Sequence, residues 1–187
     1  VIMIVCFTAH RPHLLYGYEL RNKKYQLLAK KIREICIMLI ERYSIDTFIT
    51  GGALGGDTVS FFVVENLKIR YPYIKNIIAI PFKNQPNKWN DIDRERYRRM
   101  LNLADELVYV DALDRYKIPK IEKDTYNIRK LQVRNRYMVD CSNYVIAIYN
   151  GKCKGGTYNC IQYAKKQNKT IITLNPITLR EGKMKFS

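Results

Sequence analysis

The stretch Thr47-Phe48-Ile49-Thr50-Gly51-Gly52-Ala53-Leu54-Gly55-Gly56-Asp57 decides the fold. A short run of β-branched and aromatic residues reads as a strand, four glycines within six residues break it, and a helical pattern opens at once behind them. The glycines let backbone approach a ligand and aim amide N–H groups at it, and the helix N-terminus behind them adds partial positive charge. Asp57 reads as a helix cap, as a hydrogen-bond acceptor for a ribose, or as both. The loop is neither a GxGxxG nor a Walker A motif, since no Lys-Ser/Thr follows.

The same alternation extends in both directions. Strands are expected at Ile2–Thr8, Asn76–Phe82, Glu106–Asp111, Asn143–Tyr149 and Thr170–Leu174, most of them continuously apolar, as where both sheet faces are covered. Helices are expected at Asn22–Tyr43, Asp57–Tyr71, Asp91–Ala104, Asp124–Ser142 and Thr157–Asn168. This order implies an α/β fold, a three-layer Rossmann-like sandwich whose mainly parallel sheet is flanked by helices. In such sheets ligands bind beyond the carboxyl ends of the strands, at a switch point.

With 187 residues, the chain is expected to form one domain, 1–187. No apolar run approaches the length of a membrane helix, and residues 1–7 lack a basic leader, so neither a membrane segment nor a signal peptide is expected. Five cysteines, an odd number without a CxxC pair, read as free thiols in a reducing, cytoplasmic compartment, with no metal site. The net charge of +16 favours anionic partners and is uneven, +5 over residues 1–93 and +11 over 94–187.

The strand-end loops carry the chemistry. The first is Thr8-Ala9-His10-Arg11-Pro12, with both histidines of the chain, His10 and His13, in one loop and an arginine suited to a carboxylate or phosphate. Pro81-Phe82 leads into a polar loop that holds the only tryptophan, Trp89, either a lid over apolar surface or a stacking face for a base. In the helix from Asp124, the row Ile128, Leu131, Asn135, Met138, Ser142 makes Asn135 a buried amide that must pair with backbone or ligand, flanked by Arg134 and Arg136. Lys154-Gly155-Gly156-Thr157 forms a second glycine-rich cradle, with Thr157 as its cap. Two cradles suit a ligand with more than one anionic group.

As an ordered set these loops resemble the YpsA family of the SLOG superfamily of Rossmann-like proteins. The resemblance runs from Thr8 to about Pro176 through Gly51–Asp57, Pro81-Phe82, Trp89, Tyr97, Arg134–Asp140, Asn150-Gly151 and Gly155-Gly156-Thr157. Ala9 stands where the family usually has glycine. The superfamily also contains the LOG phosphoribohydrolases and the DNA-processing protein DprA. Where the LOG motif carries its catalytic glutamate this chain has Cys160, which cannot supply a carboxylate, so the resemblance points away from LOG-type hydrolysis.

The resemblance implies a ligand pocket of nucleotide type at the strand ends and supplies no reaction; the function expected is non-catalytic binding of a nucleotide or ADP-ribose-derived molecule, as a sensor or as a phage counter-defence sponge. The residues expected at that small anionic ligand are Thr8, His10, Arg11, Gly51, Gly52, Leu54, Gly55, Asp57, Pro81, Phe82, Trp89, Arg134, Asn135, Lys154, Gly155, Gly156 and Thr157. It also implies self-association as a dimer or larger, and no cofactor is expected. Two alternatives stay open. One is a nucleoside N-glycosidase or deoxyribosyltransferase-like enzyme with Asp57 as its carboxylate. The other is DprA-like binding of single-stranded DNA, less favoured because the basic residues spread over several helices without a basic-aromatic stripe.

Overall fold

In β1 (Ile4–Ala9), Val5 and Phe7 join one apolar cluster and Cys6 joins another, so the strand is covered on both faces, as its unbroken apolar run requires. A computed structural model describes residues 2–184; Val1 and residues 185–187 of the expected domain lie outside the described residues. On the first face lie α1 (Lys23–Tyr43), α2 (Gly56–Leu67) and, beside α2, α3 (Asp91–Leu103). On the second lie α4 (Ile128–Cys141) and α5 (Gly156–Lys166). The remaining strands are β2 (Thr47–Thr50), β3 (Lys75–Ile80), β4 (Glu106–Tyr109), β5 (Tyr144–Ile148), β6 (Thr170–Leu174) and β7 (Glu181–Met184).

The sheet order is β4-β3-β2-β1-β5-β6-β7, with β1 to β6 parallel and β7 antiparallel to β6. The chain therefore steps outward from β1 to β4 and returns on the other side at β5. The switch point lies between β1 and β5, whose last residues Ala9 and Ile148 are register partners. This is the three-layer, mainly parallel α/β sandwich that the strand–helix alternation implies. The edge strand β7 carries no comparable signal, because Glu181-Gly182-Lys183-Met184 has neither an apolar run nor β-branched residues.

Some boundaries move for local reasons. Asp124 does not open a helix: its φ of 63° is left-handed, and its amide donates to the Asp111 carboxylate at 2.8 Å. The helix begins four residues later, where the Asn127 side chain accepts from the Arg129 amide at 2.9 Å. Lys130 anchors this junction from inside, 3.0 Å from Asp111 and 2.6 Å from the Glu122 carbonyl. Nor are Asp57 and Thr157 caps. Each lies in the first turn of its helix behind a glycine N-cap, Gly55 (φ 90°) or Gly155 (φ 95°), and neither helix has a side-chain cap.

The expected buried row of α4 is also displaced. Ile128 is 63% exposed, and Leu131 and Asn135 are only half-buried. The buried row is instead Lys130, Arg134 and Met138, one helical turn apart, with Arg134 3% exposed. An apolar-stripe reading assigns Arg134 to the surface. The fold buries it because carbonyl groups around it take up its N–H donors.

Candidate functional site: the cleft at the switch point

The ends of β1 and β5 are joined by backbone and by one side chain. The His10 amide donates to the Ile148 carbonyl at 3.2 Å, and the Asn150 amide donates to His10 Nε2 at 3.1 Å. An amide can only donate, so Nε2 accepts and the neutral ring carries its proton on Nδ1. Burial holds the His10 ring below its ordinary pKa, which favours that neutral form.

From the other side, the Gly56 amide donates to the His10 carbonyl at 3.1 Å and draws the N-terminus of α2 against the end of β1. A Cβ on Gly56 would run into the methyl group of Ala9. At Gly55 a Cβ would lie 2.8 Å from the His10 carbonyl, and its φ is positive as well. The alanine in place of the family's usual glycine at position 9 thus fills space left open by a glycine across from it.

These contacts border a cleft of about 400 Å³. Of the expected residues it brings together Thr8, His10, Arg11, Asp57, Arg134, Asn135, Lys154, Gly155, Gly156 and Thr157. The remaining seven lie outside its lining. Gly51, Gly52, Leu54 and Gly55 form the turn behind Asp57, and Gly51 is pressed against the Arg134 guanidinium. Pro81 and Phe82 are buried, and the Phe82 ring lies 5.7 Å from Tyr126 and 5.8 Å from Lys130 Nζ. Trp89 packs edge-on against Tyr97 at 5.2 Å, over the cluster of Phe61, Ile78, Ile80 and Met100. It covers apolar surface there, away from the cleft.

The cleft also takes in His13, Leu14, Leu131, Gln132, Met138 and Asn159. Gln132 and Asn159 escape motif reading because each is an isolated amide. Their available signal is spacing: Gln132 precedes Asn135 by one helical turn, and Asn159 follows the second glycine loop within the first turn of α5.

Two buried charges define the electrostatics. Arg134 donates through Nη1 to the carbonyls of Gly51 and Ala79, the latter at 3.4 Å, and through Nε to Asn135 Oδ1 at 2.9 Å. Asn135 is therefore oriented by Arg134, and its amide nitrogen remains available to the cleft. The Asp57 carboxylate accepts from the Ala53 amide at 3.3 Å. Burial raises its pKa, opposed by the charges of Arg134 and Arg11. Burial likewise pushes the Cys160 thiol up to about 11, opposed by a hydrogen bond with Thr8 and by Arg134. Cys160 therefore stays a thiol at neutral pH and offers no thiolate nucleophile.

Arg11 and the exposed Lys154 both line this cleft, and the glycine-capped start of α5 adds N–H donors. The arrangement can hold an anionic group at the rim and polar groups deeper in, beside Asn135, Thr8 and Asp57. Among the described residues no group of three or more His, Cys, Asp or Glu is placed to hold a metal ion. None of the described helices is long and apolar enough to cross a membrane.

Comparison with known proteins agrees with this fold. The chain is 42% identical over 147 residues to the SPbeta prophage-derived protein YoqJ of Bacillus subtilis (strain 168), covering 79% of this chain and 85% of that one. It is 24% identical over 166 residues to a UPF0398 protein of Halalkalibacterium halodurans, covering 88% and 81%. Among solved structures, DNA processing protein A from Streptococcus pneumoniae superimposes with a TM-score of 0.55 at 14% identity, over 93% of this chain. The Helicobacter pylori protein of that name, described for its single-stranded DNA binding mode, gives 0.55 at 16% identity over 92%. The chain spans only 50% and 65% of those two proteins, and at such identities the likeness is one of fold. The family model described as the YspA SLOG family matches residues 5–181, and with nearly its whole length matched the chain belongs to that family.

Proposed function

We propose that the chain binds a nucleotide-type or ADP-ribose-derived anion in the switch-point cleft without transforming it. What carries this reading is the cleft itself, lined by Arg11 from the end of β1 and by Lys154 and the glycine-capped start of α5 from the end of β5. A site built to hold an anion needs no nucleophile, and the protonated Cys160 thiol at the position of the LOG glutamate fits that. Such a protein acts as a sensor, or as a sponge that sequesters an immune signalling nucleotide. The similarity to a prophage-derived protein favours the sponge. The chain is further proposed to work in the cytoplasm as a dimer or larger assembly.

Mass spectrometry of small molecules released by denaturing the purified protein tests this directly. Thermal-shift titrations with ADP-ribose isomers, cyclic nucleotides and nucleoside monophosphates follow. A rise in Tm with at least one of them is expected, and no shift from any would overturn the reading.

One observation favours a second reading, N-glycosidic bond cleavage. Asp57 is a buried carboxyl group that lines the cleft, where an N-glycosidic bond would need a carboxylate as general base or nucleophile. Under that reading Asp57→Asn retains ligand affinity and loses turnover. Absence of turnover in the parent protein would sink it.

A further inference from the structure

A second groove opens beside the cleft, between α4 and α5, with a volume of about 210 Å³. The two share Gln132, Asn135 and Asn159, so they adjoin along these side chains. Along α4, Gln132, Asn135 and Arg136 lie on one face at helical spacing; along α5, Asn159, Gln162, Tyr163 and Lys166 do the same. The facing rows run from carboxamides at the junction to cations farther out.

The outer cations have no acidic partner: among the described residues no carboxylate lies within ion-pair distance of Arg136 or Lys166, whereas Lys31, Lys68, Arg70 and Lys117 are each paired with one. Arg136 is held over the Tyr163 ring at 5.7 Å, and that ring is fixed by its hydroxyl donating to Asp140 at 2.8 Å. A guanidinium so placed keeps its edge N–H donors for another acceptor. Lys166 lies seven residues along α5 from Asn159, roughly 10 Å at helical rise. It is also one of two lysines in the last turn, where a cation complements the helix dipole. Arg136 has no such role.

Building on the nucleotide reading above, we infer that the ligand is an extended molecule of dinucleotide size with two separated anionic groups. One group sits at Arg11 and Lys154; the other sits in the α4–α5 groove at Arg136 and Lys166. The carboxamides of Gln132, Asn135, Asn159 and Gln162 hold the base edges and ribose hydroxyls between them, since an amide offers both donor and acceptor. A mononucleotide fills the first part alone. A dinucleotide engages both parts as one tethered ligand, so its second phosphate adds affinity at little further entropic cost.

The test is isothermal titration of the full chain with nucleoside monophosphates and with 5′-phosphorylated dinucleotides of the same bases. The dinucleotide is expected to bind at least about tenfold more tightly. The exposed pair Arg136→Gln/Lys166→Gln is expected to abolish that advantage and leave monophosphate affinity unchanged. A control pair on the opposite face of the sheet, Lys23→Gln/Lys24→Gln, removes equal charge and is expected to change neither. Equal affinities for the two ligand sizes, or equal losses in both variant pairs, would overturn the extended ligand while leaving the nucleotide reading in place. Affinity that keeps rising with oligonucleotides longer than two units would replace it with a nucleic-acid strand. Absence of binding by any of these probes would remove the nucleotide reading itself, and the extension with it.

Discussion

Arg134 donates to the carbonyl of Gly51, 83 residues earlier in the chain, and this bond ties α4 to the glycine turn behind β2. A Cβ on Gly51 would overlap the guanidinium, so the glycine is needed for the arginine's approach rather than for an unusual φ. Arg134→Ala leaves the Gly51 and Ala79 carbonyls without that donor and opens a cavity beneath the cleft. The expected cost is about 3 kcal/mol. Urea denaturation measures it, and a loss under about 1 kcal/mol would mean that the buried guanidinium contributes no more than a surface residue.

Ala9 and Gly56 form a matched pair, one methyl group serving two backbones. Gly56→Ala places two methyl groups in that space and is expected to cost about 1–3 kcal/mol. The double variant Ala9→Gly/Gly56→Ala moves the methyl across the gap and is expected to recover most of the loss. A double-mutant cycle in thermal or chemical denaturation reads the coupling. Simple additivity would show that the two residues do not share the space.

His10 makes stability depend on pH in a defined direction. Its folded pKa lies below the unfolded value of 6.5, so the unfolded chain binds the proton more readily. Stability from this residue is fully present above 6.5 and declines as pH falls through 6.5 towards the folded value. His10→Gln removes that contribution, so the parent's Tm should fall more than the variant's between about pH 7 and 5. Parallel curves would show that His10 is not held neutral.

Asp57 acts in the opposite sense. Its folded pKa is raised above the unfolded value of 3.8, so its contribution is complete below that pH and is lost as pH rises through the folded value. The stability of Asp57→Asn relative to the parent is therefore expected to increase with pH over that window and then level off. Denaturation midpoints of both proteins across the acidic range check this. A difference independent of pH would mean that the carboxyl titrates as in the unfolded chain.

Lys154 belongs to the exposed rim of the cleft, so Lys154→Gln should leave Tm unchanged and weaken binding of a nucleotide found by the ligand screen by about tenfold. The loss should shrink in high salt, because an exposed cation acts through a screened charge. Unaltered affinity at low salt would place the anion elsewhere in the cleft.

Much of this was legible in the residues. The glycine turn at 51–57 and the apolar strand runs carry the α/β architecture, because turns and strand faces are local properties of backbone freedom and hydropathy. The strand-end rule then leads to eight of the residues that line the cleft, from Thr8 to Thr157, and the pattern of the helix from Asp124 adds Arg134 and Asn135. The hydropathy row makes Asn135 the buried residue, whereas the structure buries Arg134. A hydropathy stripe cannot anticipate a guanidinium whose carbonyl acceptors come from the turn after β2 and from β3, far away in the chain. Trp89 was equally ambiguous, since a tryptophan in a polar loop looks the same whether its ring covers Tyr97 or faces a ligand.

The sequence by itself thus determined the layered α/β order, the two glycine turns and the basic character of the strand ends, all of which follow from short-range residue pattern. Only the tertiary structure decided which side chains meet: Arg134 beneath Gly51, Ala9 against Gly56, and the α4 and α5 faces opposed along a shared groove. The physical reason is that burial of a charge, or close approach of two backbones, depends on partners supplied from distant segments, which no local window contains.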